Sequence, residues 1–253
     1  MFSLSDFARV VYGCILCRRE SVDSKRVLVR LWAHEALRVF YDRLVEEDDR
    51  QVFYDKMMEC VSEIFKEDVG ETFEGLYNAE QQMNKEAFAE LIFSVILDQS
   101  PDDRKYEEVP SVDHFYDAAM QVIEDYNATH QNKMSIVLFK YAVEHLSRIC
   151  RILSIPGGNA LLVGVGGSGR QSLTRLAGAV CRQRVFQPKI TKNYSLNEWR
   201  ACLRELLEEA GVCNRSCVFI FSEGQFKEDW FLQDIHYLLS TVKCLEFSLL
   251  TNI

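Results

Sequence analysis

Residues 161–176 read LLVGVGGSGRQSLTRL, and this stretch decides the fold. An apolar run, Ala160 to Val163, enters a glycine-dense loop, Gly164 to Gly169, and a helix-like segment, Gln171 to Val180, leaves it. Strand, glycine loop and helix in that order suit a phosphate-binding loop. Glycine lets the backbone turn sharply and approach a ligand closely. Successive N–H groups, with the positive end of the following helix, then form a nest for an anion. Gly164 and Gly169 have the spacing of the pattern G-x-x-x-x-G-K-[ST], with Gly166, Gly167 and Ser168 between them. The last two positions depart from it: Arg170 stands in place of Lys, and Gln171 in place of Ser or Thr. Arg170 keeps a positive charge for the β- and γ-phosphates, on a bulkier, planar fork. Gln171 offers magnesium a carbonyl oxygen on a longer arm instead of a short hydroxyl. Ser172 brings a hydroxyl one place later, where it can reach an α-phosphate. The expectation is nucleotide binding with impaired hydrolysis. The alternative is a glycine-rich turn that holds nothing.

The rest of the composition narrows the classes. The chain has 253 residues, 48% hydrophobic and 26% charged, an ordinary globular balance with room for one large or two small domains. A formal net charge of −9 gives no basic face for nucleic acid. No apolar run approaches the roughly 20 residues that span a membrane, and the N-terminus lacks the basic start and apolar core of a signal peptide. Nine scattered cysteines suggest buried thiols in a reducing compartment. Cys14 and Cys17 form a CxxC, and Cys213 and Cys217 a looser pair, but no histidine sits at a spacing that would complete a zinc site.

Residues 1–97 carry helical periodicity: Val10 to Cys17, Lys25 to Val45, Asp49 to Phe65 and Glu86 to Leu97 each place apolar residues on one face. The expectation is a helical bundle, with the acidic run Glu46 to Asp49 as a solvated turn and His34 packed among Trp32 and Leu37. Residues 98–113, with two of the four prolines and mixed charges, read as a linker. Helices are expected from Val112 to Asn127 and from Ser135 to Leu153. After the glycine loop come a short apolar strand (Arg184 to Ile190), a helix (Leu196 to Ala210), a second apolar strand (Ser216 to Glu223) and a helix (Lys227 to Leu239). Near-continuous apolar strands alternating with helices predict a parallel sheet covered on both faces, with any ligand at the strands' carboxyl ends.

The second strand ends Phe221-Ser222-Glu223-Gly224, with one acid where nucleotide hydrolysis uses two groups. If Glu223 activates water, Ser222 has replaced the magnesium-binding acid. If Glu223 serves the metal, Gly224 has replaced the base. The remaining reading is an exposed loop glutamate.

Several stretches together resemble the dynein heavy chains, the axonemal (ciliary) branch in particular. MSIVLF at 134–139, AVEHLSRI at 142–149, the stretch Gly158 to Ala177, NEWR at 197–200 and FIFSEGQFKEDWFLQDI at 219–235 are similar to the large subdomain of that family's fourth AAA+ module. FSLSDFARV at 2–10 and LWAHEALRVFYDRL at 31–44 resemble the small helical subdomain closing the third module. The fold this implies is α/β: a helical bundle subdomain (1–100), a linker (101–113) and a partial P-loop AAA+ subdomain with a parallel sheet (114–253).

The resemblance also implies site residues. Val137, Leu138 and Phe139 would line an adenine pocket, and Gly164 to Ser172 would hold the phosphates of ATP or ADP, Arg170 with Gln171 being an accepted form of this loop. Ser222 would stand at the magnesium acid and Glu223 at the base, so Mg2+ would be held weakly. Partners would be other dynein modules and subunits, with microtubules reached only through the full motor, in the cytoplasm and the cytoskeleton of the ciliary axoneme. Two departures matter. Ser5 stands where the family has a nucleotide-sensing Arg, and after Leu239 the sequence leaves the family pattern, without the later strands, polar sensor, helical lid, stalk or linker. The function expected is a regulatory nucleotide-binding portion of the motor with little hydrolysis of its own; the alternatives are an interaction fragment that binds no nucleotide, or a stand-alone phosphotransferase. An incomplete sheet also leaves an open edge and an uncovered apolar face, for which Phe247, Leu249, Leu250 and Ile253 are the candidate cover; aggregation or partial disorder is expected beyond Val242.

Overall fold

The computed structural model describes residues 2–76, 88, 90–98, 100, 104–191, 194–226 and 228–240; the expectations for the tail beyond Val242 lie outside them. Serine writes four of the helix starts. Ser3 caps α1 (Leu4–Leu16) in a box closed by Asp6, Ser24 caps α2 (Lys25–Val39), and Ser111 caps α5 (Val112–Thr129). Ser195 caps α8 (Leu196–Leu207) in a second box with Glu198. Each side-chain oxygen takes an amide that the first turn leaves without a partner. The acidic run is not a bare turn: Glu47, Asp48 and Asp49 form the first turn of α3 (Glu47–Glu59), where the helix dipole favours carboxylates. A π-turn, Cys60–Ile64, and the short α4 (Val69–Thr72) follow.

Two expectations fail here. In the helix predicted across Glu86 to Leu97, of which residues 86, 87 and 89 lie outside the described residues, Ile92–Ser94 form a strand, β1, and the predicted linker contributes β2 (Glu107–Val109). The two pair antiparallel, Ile92 opposite Val109 and Ser94 opposite Glu107. Leu91, Ile92, Phe93 and Val95 are all buried, so this run needs apolar cover on both faces, which a one-sided surface helix does not give. Arg30 fastens β2 to α2 through Glu108 at 2.9 Å.

The α/β part is built from α5, α6 (Lys140–Ser154), α7 (Arg170–Val180), β3 (Arg184–Phe186), α8, β4 (Cys217–Phe219) and α9 (Asp229–Ser240). Phe115, Leu146 and Leu176 bring α5, α6 and α7 into one core. α6 starts five residues later than predicted. β3 and β4 pair parallel, Arg184 opposite Cys217 and Phe186 opposite Phe219, and Trp199 and Phe231 of α8 and α9 pack beside them. The predicted strand before the glycine loop does not join this sheet. Residues 159–165 lie outside any strand, and Leu161 and Val163 are 89% and 84% exposed. Pairing is what holds a strand in a sheet, and among the described residues no main-chain hydrogen bond reaches the N–H groups of 160–165.

A buried polar cluster ties the N-terminal helices to α6. The Glu35 side chain is fully buried. One of its oxygens receives Nε and Nη2 of Arg151 at 2.8 and 2.5 Å, and the other the hydroxyl of Tyr106 at 2.9 Å. Gly13 of α1 makes the space: a β-carbon there would lie 1.7 Å from Glu35 Oε2. His34 beside it points Nδ1 at the Leu91 carbonyl, 2.8 Å away, so that nitrogen carries the proton. A second tie runs from Arg148 to Asp42 at 3.0 Å.

Removing one partner of a buried ion pair leaves a charge uncompensated, so Arg151→Met should cost about 3–5 kcal/mol in urea unfolding. Combining it with Glu35→Gln should recover part of that loss. Burial, with Arg38 nearby, holds His34 well below the usual histidine range, and His145 shifts the same way through burial and Arg148. Below pH 6.5 the unfolded chain binds protons that these folded histidines exclude. Stability should therefore be full near pH 7 and fall as pH drops toward 5, by up to about 1.4 kcal/mol per pH unit from the fully buried His34, with a smaller share from the partly exposed, solvent-screened His145. Unfolding of His34→Gln across this range should show a shallower slope.

Candidate functional site

The glycine loop opens α7 without a cap. Its N-cap is Gly169, at φ +78°, and no side chain accepts from the first turn. The serine-capped helices each have a side chain on a first-turn amide; α7 has none. Gly167 is also left-handed, at φ +77°, a conformation other residues adopt only with strain. Ser168 N–H closes the turn on the Val165 carbonyl at 3.2 Å, and Thr174 Oγ1 returns to the Arg170 carbonyl at 2.8 Å.

Arg170 turns back beneath the loop. Its guanidinium donates to the carbonyls of Leu162, at 3.3 Å, and Val165, at 3.0 Å. It braces the turn from inside and keeps its charge beside it. Gln171 accepts from the Gln187 amide at 3.2 Å, and Ser172 is exposed one turn into the helix. Across a cavity of about 1980 Å³ from the loop stands the end of β4. Ser222 caps a short turn, Glu223–Gln225, with its hydroxyl donating to Gln225 Oε1 at 3.0 Å. Glu223 is exposed on the same wall.

Thus Gly164, Gly166, Gly167, Ser168, Gly169, Arg170, Gln171, Ser172, Ser222 and Glu223 all line one cavity. Val137, Leu138 and Phe139 are not part of it. Leu138 is buried in the α5–α6–α7 core, while Val137 and Phe139 face solvent. The single-residue alternation apolar-in, apolar-out cannot be told from a pocket lining by sequence. Sequence reading also missed Arg104, which lines the cavity and has Nε and Nη1 buried without a hydrogen-bond partner among the described residues. It lies in the stretch read as a linker. The CxxC pair is half-buried, with Cys17 Sγ 2.7 Å from the Tyr106 carbonyl. Burial pushes the thiols of Cys14 and Cys17 up to about 12 and about 11. Among the described residues no group of three or more His, Cys, Asp or Glu could hold a metal ion, and no helix is long and apolar enough to cross a membrane.

A glycine loop opening an uncapped helix, next to a parallel strand pair flanked by helices, defines a P-loop α/β protein of the AAA+ type. Family models agree: residues 134–247 match the P-loop containing dynein motor region D4, and residues 1–75 match an AAA+ lid domain. The chain is 45% identical over 208 residues to dynein axonemal heavy chain 12 of Homo sapiens, covering 81% of this chain and 7% of that protein. It is 37% identical over 241 residues, 95% of its own length, to dynein axonemal heavy chain 3 of Mus musculus and to dynein axonemal heavy chain 1 of Rattus norvegicus, covering 6% and 5% of those proteins. The chain belongs to the axonemal dynein heavy chains and carries part of their AAA+ region.

Alanine at Gly169 has to take up a left-handed backbone, so Gly169→Ala should lower stability by about 1–2 kcal/mol. Gly166 has open space and no positive φ, and Gly166→Ala should cost distinctly less in the same urea titration.

Proposed function

We propose that this chain is a nucleotide-binding regulatory portion of an axonemal dynein heavy chain, with little or no hydrolysis of its own. The observation that carries the reading is the uncapped start of α7 at the rim of the large cavity, facing Ser222 and Glu223 across it. The amides of Arg170, Gln171 and Ser172, with those of the loop, would take the phosphates of ATP or ADP, and the helix dipole favours their charge. Anion binding there would draw the Arg170 guanidinium from its own carbonyls toward the phosphates. Bound Mg2+ would neutralise phosphate charge. Its hard oxygen donors here are Glu223, the Gln171 amide and the Ser172 and Ser222 hydroxyls, so most of its shell must come from phosphate and water. One carboxylate cannot both hold the metal and activate water, which is why turnover is expected to be negligible.

The chain spans 5–7% of the length of these relatives. In the whole motor this region would act with the other dynein modules and subunits, in the axoneme, and reach microtubules only through the rest of the heavy chain. In the same reading, residues 1–100 close the preceding AAA+ module and 114–253 begin the next.

One observation favours a second reading, an interaction element that binds no nucleotide. Arg170 already spends two donors on the loop's own carbonyls, and the Ser222 hydroxyl is committed to Gln225. Calorimetry separates the two. Titration with MgATP and with ADP should give a dissociation constant on the order of 0.1–1 mM, weakened at least severalfold by Arg170→Ala, with no steady phosphate release. No heat of binding with either nucleotide, in the parent chain or in Arg170→Ala, would favour the second reading. Steady turnover abolished by Glu223→Gln would overturn the inactivity.

A further inference from the structure

Two cysteines meet where the helices on either side of the glycine loop pack together. Cys150 is buried on α6, before the loop, and Cys181 is the C-cap of α7, after it. Cys181 Sγ lies 3.6 Å from the Cys150 carbonyl and 3.9 Å from the Ser154 hydroxyl, one turn further along α6, and the two thiols hydrogen-bond each other. Cys181 packs against both of the larger cores, yet it is only partly buried and lines the large cavity, which gives a small solute a way in.

The two sulfurs have different surroundings. Arg104 lines the same cavity, and its Nε and Nη1 are buried without a hydrogen-bond partner among the described residues. Arg182, next to Cys181, donates to the Ser100 carbonyl at 3.0 Å, which brings the stretch carrying Arg104 alongside the end of α7. The hydrogen bond from Cys150, with smaller help from Ser154 and the Arg104 charge, holds the Cys181 thiol below the usual range against burial, whereas burial pushes Cys150 well above it. A thiol held toward its thiolate beside a cation is the one that reacts, and a protonated thiol in contact with it is placed to resolve the product. Burial raises both thiols of the Cys14–Cys17 pair, so that pair serves as an internal comparison.

We propose that Cys181, beside Arg104, and Cys150 form a peroxide-sensitive dithiol whose disulfide locks α6 to the end of α7. The Cys181 thiolate attacks one oxygen of hydrogen peroxide. The O–O bond breaks, the departing hydroxide takes up the proton that Cys181 released and leaves as water, and Cys181 becomes a sulfenic acid. The Cys150 sulfur then attacks the Cys181 sulfur; the S–O bond breaks, and its oxygen leaves as a second water with the Cys150 proton. Two thiols are oxidised by two electrons and one peroxide is reduced to two waters. A small thiol reverses the step by exchange. A link between residues 150 and 181 closes a ring that contains the whole glycine loop, which restricts the unfolded chain and fixes the spacing of the helices at the loop's two ends.

The proposal does not depend on nucleotide binding and is tested without nucleotide. The full chain is reduced, exposed to a small excess of hydrogen peroxide, alkylated and digested without reductant, and its disulfides are mapped by mass spectrometry. The expected product is a peptide pair joined through Cys150 and Cys181, formed before Cys14 or Cys17 oxidises and reversed by dithiothreitol. In Cys150→Ala, Cys181 should stop at a sulfenic acid that dimedone traps. In Arg104→Met, loss of the Cys181 thiol should slow by about threefold or more. Survival of both thiols while Cys14, Cys17 or the exposed Cys213 oxidises would overturn the proposal. So would passage of Cys181 to a sulfinic acid with Cys150 still free, or an unchanged rate in Arg104→Met.

Discussion

A carboxylate with no access to water must be answered by something charged, and in this chain that requirement fastens two halves together. Glu35 lies on a helix of the N-terminal bundle; Arg151 lies on α6, which leads into the glycine loop. Tyr106, from between the two, holds the remaining oxygen. Arg148 and Asp42 repeat the connection nearer the surface. A buried pair of this kind is weak evidence for net stability, but it sets orientation sharply, because any slip exposes an unpaired charge to a low-dielectric interior. The angle at which α6 delivers the chain to the phosphate loop is thereby set by residues more than a hundred positions earlier.

What the sequence made legible follows from locality. The amphipathic helices and the glycine loop are each defined within a few residues, and the periods expected from Lys25 and from Val112 fall on α2 and α5. Strands are defined by partners. Ile92 to Ser94 looked helical because its apolar spacing fits both periods, and only the pairing with Glu107 to Val109 decides it. Leu161 to Val163 looked like a central strand for the opposite reason: the side chains suit one, but strand status depends on neighbours that lie elsewhere in the chain.

The site divides in the same way. The loop and the end of β4 were readable because glycine spacing and an acid after an apolar run are local signals, and the structure places both on one cavity. The backward turn of Arg170 was not readable, since it depends on the carbonyls of Leu162 and Val165 being turned inward. Nor was Arg104, whose importance lies only in where a supposed linker passes.

Among the described residues the parallel sheet of β3 and β4 is two strands wide, and its aromatic cluster around Trp199 and Phe231 is distinct from the two larger cores. Two strands alone are marginal, and a small separate cluster seldom shares the cooperativity of its neighbours. What joins this end to the larger core is α7, whose Gly178 leaves room for Val185 of β3 and Val218 of β4. A ligand held by both the glycine loop and the end of β4 would tighten that joint, making the cavity a thermodynamic coupling as well as a space.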